Sequence, residues 1–130
     1  MDVSFNWLAI ALAALSSFVI GGLWYSVLFA RPWQRAAGVT DEQLTRGTAR
    51  VFIGSAILAI VMAISLAAFI GPNGPGFGVF AGFATGATFV AAAFGVNYLF
   101  ERRSLLLFAI NGSYNVVTFT VMGAIIGLMQ

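Results

Sequence analysis

Apolar residues fill four long stretches of the chain, Phe5–Ala30, Val51–Ile70, Phe77–Phe100 and Leu105–Met129, while charged residues are confined to the connections and the N-terminal end. Each stretch has at least 20 residues and no charge inside it. At about 1.5 Å per residue, 20 helical residues reach roughly 30 Å, the thickness of a bilayer's hydrocarbon layer. The pattern predicts an all-α protein: one integral membrane domain over residues 1–130, a bundle of four transmembrane helices joined by a long connection at 31–50 and by two short turns.

The connections carry their own signals. Arg31-Pro32 should end the first span, because proline disfavours helix in the residue before it. Trp33 then falls at headgroup depth, where aromatic rings gather. Pro32–Ala37 reads as a turn of interfacial helix stopped by Gly38. Thr40-Asp41-Glu42-Gln43 has the form of a capping box, with Thr40 as N-cap and Gln43 three positions on. The helix it opens is expected to run straight into the second span, placing Glu42, Arg46 and Arg50 at successive i,i+4 steps. That stripe has two readings, an exposed collar or a docking surface for an anionic lipid or partner. Gly71-Pro72-Asn73-Gly74-Pro75-Gly76 is a strong helix breaker. The turn at Glu101–Ser104 is short enough to make spans three and four an antiparallel hairpin.

Charge orients this arrangement. All six cationic residues are arginines. Arg31, Arg35, Arg46 and Arg50 lie between spans one and two, and Arg102 and Arg103 between spans three and four, so four spans place them all on one side. The positive-inside rule makes that side cytoplasmic and both termini external, N-out and C-out. A six-to-zero bias also argues against dual topology. The first stretch is too long for a cleaved signal peptide, and only Asp2 and the terminal amine precede it as charges. With 8% charged and 61% hydrophobic residues, the lipid bilayer is the first expected partner. The basic pI of about 9.7 rests on a net charge of only +2 and gives no reason to expect nucleic acid.

Small and polar residues divide the spans. Gly78, Gly82 and Gly86 recur every four residues on span three, Gly123 and Gly127 do so on span four, and Ala9, Ala13, Ser17 and Gly21 form a ridge on span one. Lipid offers little hydrophobic drive between helices, so close backbone approach holds them together, and small residues at this spacing permit it. The ridges serve packing within the bundle, contact in a homo-oligomer, or a backbone-lined solute path. The Gly-rich edges fall in the outer half, which should be the tighter one. Polar residues gather toward the opposite half: Trp24, Tyr25 and Ser26 on span one, Asn97, Tyr98 and Glu101 on span three, and Asn111, Tyr114, Asn115 and Thr118 on span four. Unpaired amides are costly in hydrocarbon, so this cluster should face protein or a wet cavity. It is either a structural hydrogen-bond cluster or a ligand site. Glu101 has an expected salt bridge to Arg31 or Arg35, with a titrating role as the alternative. Phe18-Val19 and Leu28-Phe29-x-Arg31 recur at an offset of 71 residues as Phe89-Val90 and Leu99-Phe100-x-Arg102, which fits either a duplicated two-span unit or coincidence.

The sequence contains no histidine, cysteine or lysine. Imidazole or thiolate metal centres, Ser–His or Ser–Lys nucleophiles and Schiff bases therefore cannot form within one chain. The four acidic residues, Asp2, Asp41, Glu42 and Glu101, all sit outside the apolar stretches, and no mid-span carboxylate exists for proton coupling. No catalytic residue, metal site or cofactor is expected, and no enzyme activity.

Asn6-Trp7-Leu8, Gly22-x-Trp24-Tyr25-Ser26, Trp33, Asn97-x-x-Phe100-Glu101-x-Arg103, Asn111-x-x-Tyr114 and Met122-Gly123 together resemble the bacterial membrane family catalogued as domain of unknown function 1761, over nearly the whole chain. Val27 stands where the family pattern would place proline after Trp-Tyr-Ser. The resemblance implies a small four-helix protein of the bacterial inner membrane and brings no established activity. Small multidrug exporters fit less well, because they carry a glutamate in their first span that is missing here. Fluoride channels are similar in size, but their motifs are not present. The sequence thus points to a non-catalytic structural or accessory subunit, assembling as a homo-oligomer or with other membrane subunits. A small-solute channel or transporter is the alternative.

Overall fold

The structure is a computed structural model and describes residues 5–130; Asp2 lies outside the described residues. Helix α1 (Trp7–Gly22) continues through a π-helical segment at Leu23–Leu28. Two short helices follow, α2 (Ala30–Ala37) and α3 (Asp41–Leu44), then α4 (Thr48–Ile70). Helix α5 (Gly74–Ala84) passes through a second π-helical segment, Thr85–Ala91, into α6 (Ala92–Glu101). Helix α7 (Leu105–Met129) completes the chain. The resulting spans, Trp7–Leu28, Thr48–Ile70, Gly74–Glu101 and Leu105–Met129, are long and apolar enough to cross a bilayer. This is a multi-pass helical membrane protein.

Span three begins at Gly74, three residues before the sequence suggests, because Pro75 sits in the first turn, where its missing N–H leaves no helical bond unmade. The capping box forms as expected: the Gln43 backbone N–H donates to Thr40 Oγ1 (3.2 Å), and the Thr40 backbone N–H donates to Gln43 Oε1 (2.8 Å). The helix it opens does not reach span two. Gly47 takes a left-handed conformation (φ +62°), breaking the chain after Leu44 and restarting it at Thr48. Glu42 still pairs with Arg46, but Arg50 lies beyond the break, so the three residues do not share one helix face. Gly38 (φ +72°) ends α2 in the same left-handed way, as a Schellman-type stop.

α7 is the central helix and packs against every other span. Its contact with α5 is a glycine seam. A Cβ placed on Gly78 would lie 2.2 Å from the Gly123 carbonyl oxygen, and one on Gly82 would lie 2.1 Å from that of Phe119. Gly86 and Gly127 extend the seam against the Asn115 and Gly74 carbonyls. Ala9, Ala13 and Ser17 are buried on α1, whereas Gly21 meets the Tyr114 ring instead of a backbone.

The core of Ile10, Ala13, Ala63, Ala67, Phe119, Met122 and neighbouring residues lies toward the Gly71–Asn73 turn. Hydrogen bonds tie the helix ends there: Asn6 Nδ2 donates to the Met129 carbonyl (2.9 Å), and Gln130 Nε2 donates to the Ala67 and Gly71 carbonyls (3.2 Å each). The arginine-bearing half is looser. No residue of α4 from Thr48 to Leu58 is buried, and neither is any residue of α6. The two π segments sit 62 residues apart at their starts, a spacing that differs from the 71-residue offset of the sequence repeat.

Candidate functional site

Trp24 and Tyr25 lie in the π segment of span one, whose i→i+5 bonding is completed by the Phe29 N–H donating to the Trp24 carbonyl (2.8 Å). This turn swings both rings onto α7. Trp24 Nε1 donates to the Ile110 carbonyl (3.1 Å) and lies 3.2 Å from Ser113 Oγ. The Tyr25 hydroxyl donates to Asn111 Oδ1 (2.6 Å), and Asn111 Nδ2 donates to the Tyr98 hydroxyl oxygen (2.7 Å). One amide thus joins spans one, three and four through two phenols. Tyr114 stands edge-on to Tyr25 (centroids 5.1 Å apart) and donates to the Ser17 carbonyl (3.1 Å). Trp33 closes the other side of Tyr25, also edge-on, at 5.4 Å. Edge-to-face pairs of this kind add about 0.5–1.5 kcal/mol beyond simple burial.

Asn115 bonds within its own helix, Nδ2 donating to the Asn111 carbonyl (2.8 Å). Thr118 is buried, and its Oγ1 has no partner among the described residues.

Three predicted members stand apart. Ser26 and Asn97 are exposed, and Glu101 is too. Glu101 meets Arg103 at 3.5 Å, not Arg31 or Arg35. The cause is the chain reversal at Arg102 (φ +57°), which brings Arg103 back toward Glu101. Arg103 also reaches across to α2, its Nη1 donating to the Ala37 carbonyl (3.2 Å), so the two arginine-bearing connections are joined directly. Tyr98, next to the expected Asn97, is the partner that span three supplies. Both residues were expected in the cluster; the sequence does not choose between them, because the π segment at Thr85–Ala91 changes the angular position of every later residue on the span.

The cluster has no carboxylate, imidazole or amine, so its chemistry is that of neutral hydrogen bonds and ring faces. It binds helices to one another at a place where an unpaired amide would be expensive.

No curated protein and no solved structure matches the chain. A family model, described as a protein of unknown function, matches residues 8–127. The chain belongs to that family, DUF1761.

Proposed function

We propose that this protein is a non-catalytic accessory subunit of the bacterial cytoplasmic membrane, oriented N-out and C-out, which assembles laterally with other membrane subunits or with copies of itself. The observation that carries this reading is the pairing at Asn111. Its amide oxygen and nitrogen are both taken by tyrosines of other spans. A side chain held from both sides in this way fixes the packing of three spans. Further support comes from the sequence, which lacks histidine, cysteine and lysine. The uncovered faces of α4 and α6 provide room for a neighbour.

A small-solute channel or carrier is the second reading. Thr118 favours it, since a buried hydroxyl without a partner is the kind of group a passing or bound solute would satisfy.

Native mass spectrometry of protein gently extracted from its own membrane, with an Asn111→Ala companion, separates the two. The accessory reading expects co-purifying subunits, or further copies, at fixed stoichiometry. It also expects the variant to lose about 1 kcal/mol of stability, two interhelical bonds of about 0.6 kcal/mol each. A retained small molecule that disappears in Asn111→Ala, with stability unchanged, would replace it with the solute reading.

A further inference from the structure

α2 has two unlike faces. Arg31, Gln34 and Arg35 stand at i, i+3 and i+4, one side of a helix. Trp33, Ala36 and Ala37 occupy the other, and Trp33 packs on Tyr25. The left-handed turn at Gly38 then sends the chain back along the arginine face. It is held there by Gln34 Nε2 donating to Asp41 Oδ1 (2.6 Å) and by the Val39 N–H donating to the Gln34 carbonyl (3.1 Å). Between helix and returning chain lies an open cleft of about 600 Å³, lined by Arg31, Arg35, Thr40 and Asp41 among others.

The charges in this cleft are unbalanced. Two guanidinium groups face one carboxylate, and that carboxylate already accepts from Gln34. Arg46 is paired with Glu42, Arg103 with Glu101, and Arg102 donates to the Phe100 carbonyl. Arg31, Arg35 and Arg50 have no carboxylate partner among the described residues, and of these three only Arg31 and Arg35 line the cleft. The Thr40 hydroxyl oxygen accepts from Gln43 but keeps its own proton to donate.

From this arrangement we infer that the cleft is a binding site for the phosphodiester headgroup of an anionic phospholipid. Arg31 and Arg35 supply paired N–H forks that match phosphate oxygens, and Thr40 supplies a neutral donor. The lipid source, as opposed to a soluble phosphate ester, follows from position. Only Phe29 separates α2 from the end of span one, so the cleft lies where hydrocarbon gives way to headgroups. On the membrane side of it Val27 and Leu28 are exposed (71% and 51%), a track along which acyl chains can lie. Basic pockets beside spanning helices are a recognised way of holding such headgroups. The inference stands independently of the accessory-subunit reading.

The test is lipid retention, measured by native mass spectrometry of the whole protein titrated in detergent with phosphatidylglycerol or phosphatidylcholine. Wild type should hold phosphatidylglycerol in preference. An arginine in contact with an anionic headgroup is worth roughly fivefold in affinity, so Arg31→Gln/Arg35→Gln should weaken retention by roughly 25-fold. Arg46→Gln/Arg50→Gln removes equal charge outside the cleft and should leave retention near wild type. Arg31→Lys/Arg35→Lys keeps the charge and loses the fork, so it should lie between. The proposal is overturned if both glutamine pairs weaken retention equally, if the lysine pair matches wild type, or if phosphatidylcholine is held as well. Displacement of the lipid by millimolar inorganic phosphate would also overturn it, assigning the cleft to a soluble phosphate.

Discussion

Gly82 and Gly54 are both glycines in the interior of a spanning helix, yet their surroundings give the same substitution opposite signs. A methyl group on Gly82 would be driven into the Phe119 carbonyl at 2.1 Å, and backbone cannot move aside as a side chain does. Gly82→Ala must separate α5 from α7, at a cost of about 1–3 kcal/mol. A methyl group on Gly54 meets nothing within 4 Å among the described residues, so Gly54→Ala should gain up to about 1 kcal/mol of helix propensity. Thermal unfolding in detergent reads both, and a Gly82→Ala protein that melts with wild type would remove the seam from the account. The seam was legible in the sequence because every-fourth-residue spacing carries through an α-helix. Asn111, Tyr25 and Tyr114 were legible for a related reason: residue number alone places them at a similar depth. Depth does not give azimuth. Ser26 lies inside a π segment, where the angular step per residue differs from the α-helical value, and Asn97 lies in the α-helix after one and inherits its angular offset; both end up exposed.

Two of the connecting elements show how local signals compete. Thr40 and Gln43 specify a helix start, and the structure forms it. The i,i+4 spacing of Glu42, Arg46 and Arg50 suggested a continuous helix, but Gly47 lies in that run and adopts the left-handed conformation that glycine reaches without strain. A sequence pattern of charges contributes only a few tenths of a kcal/mol per pair, too little to hold glycine in a helix against a turn. α3 is therefore one short turn held mainly by its cap, and the cap is its weak point. Thr40→Ala should cost about 1 kcal/mol locally. Because cleavage of an opening segment follows its open population, trypsin should cut after Arg46 about fivefold faster while the spans stay protected. Unchanged cleavage would mean that the Glu42–Arg46 pair, not the cap, holds the turn. The π segments had no comparable warning, although Thr85 and Thr88 donate to the Ala81 and Ala84 carbonyls and so draw on the same acceptors that an α-helix uses.

Across the whole molecule, the helix ends sort into two sets that the structure ties separately. Asn6, Gln130 and the Gly71 turn are joined at one end. Ala37 and Arg103 are joined at the other, where all six arginines belong to the same face of the bundle. The tight core lies at the first end and the polar cluster nearer the second, so the molecule is polarised in charge, packing and hydrogen bonding along one axis. The expected direction of that axis in a membrane rests on charge, because arginine-rich short loops tend to stay in the cytoplasm. The sequence has no cysteine, so single introduced thiols can be read without background. Gly76 has no neighbour within 4 Å of a new Cβ among the described residues, and Thr45 is exposed in the arginine-bearing connection. In intact cells a membrane-impermeant maleimide should label Gly76→Cys and spare Thr45→Cys, which should react only after the membrane is opened. Labelling in the reverse order would invert the protein and move the Arg31–Arg35 cleft to the external leaflet. Equal labelling of both would mean two populations of opposite orientation, which a six-to-zero arginine bias should not allow.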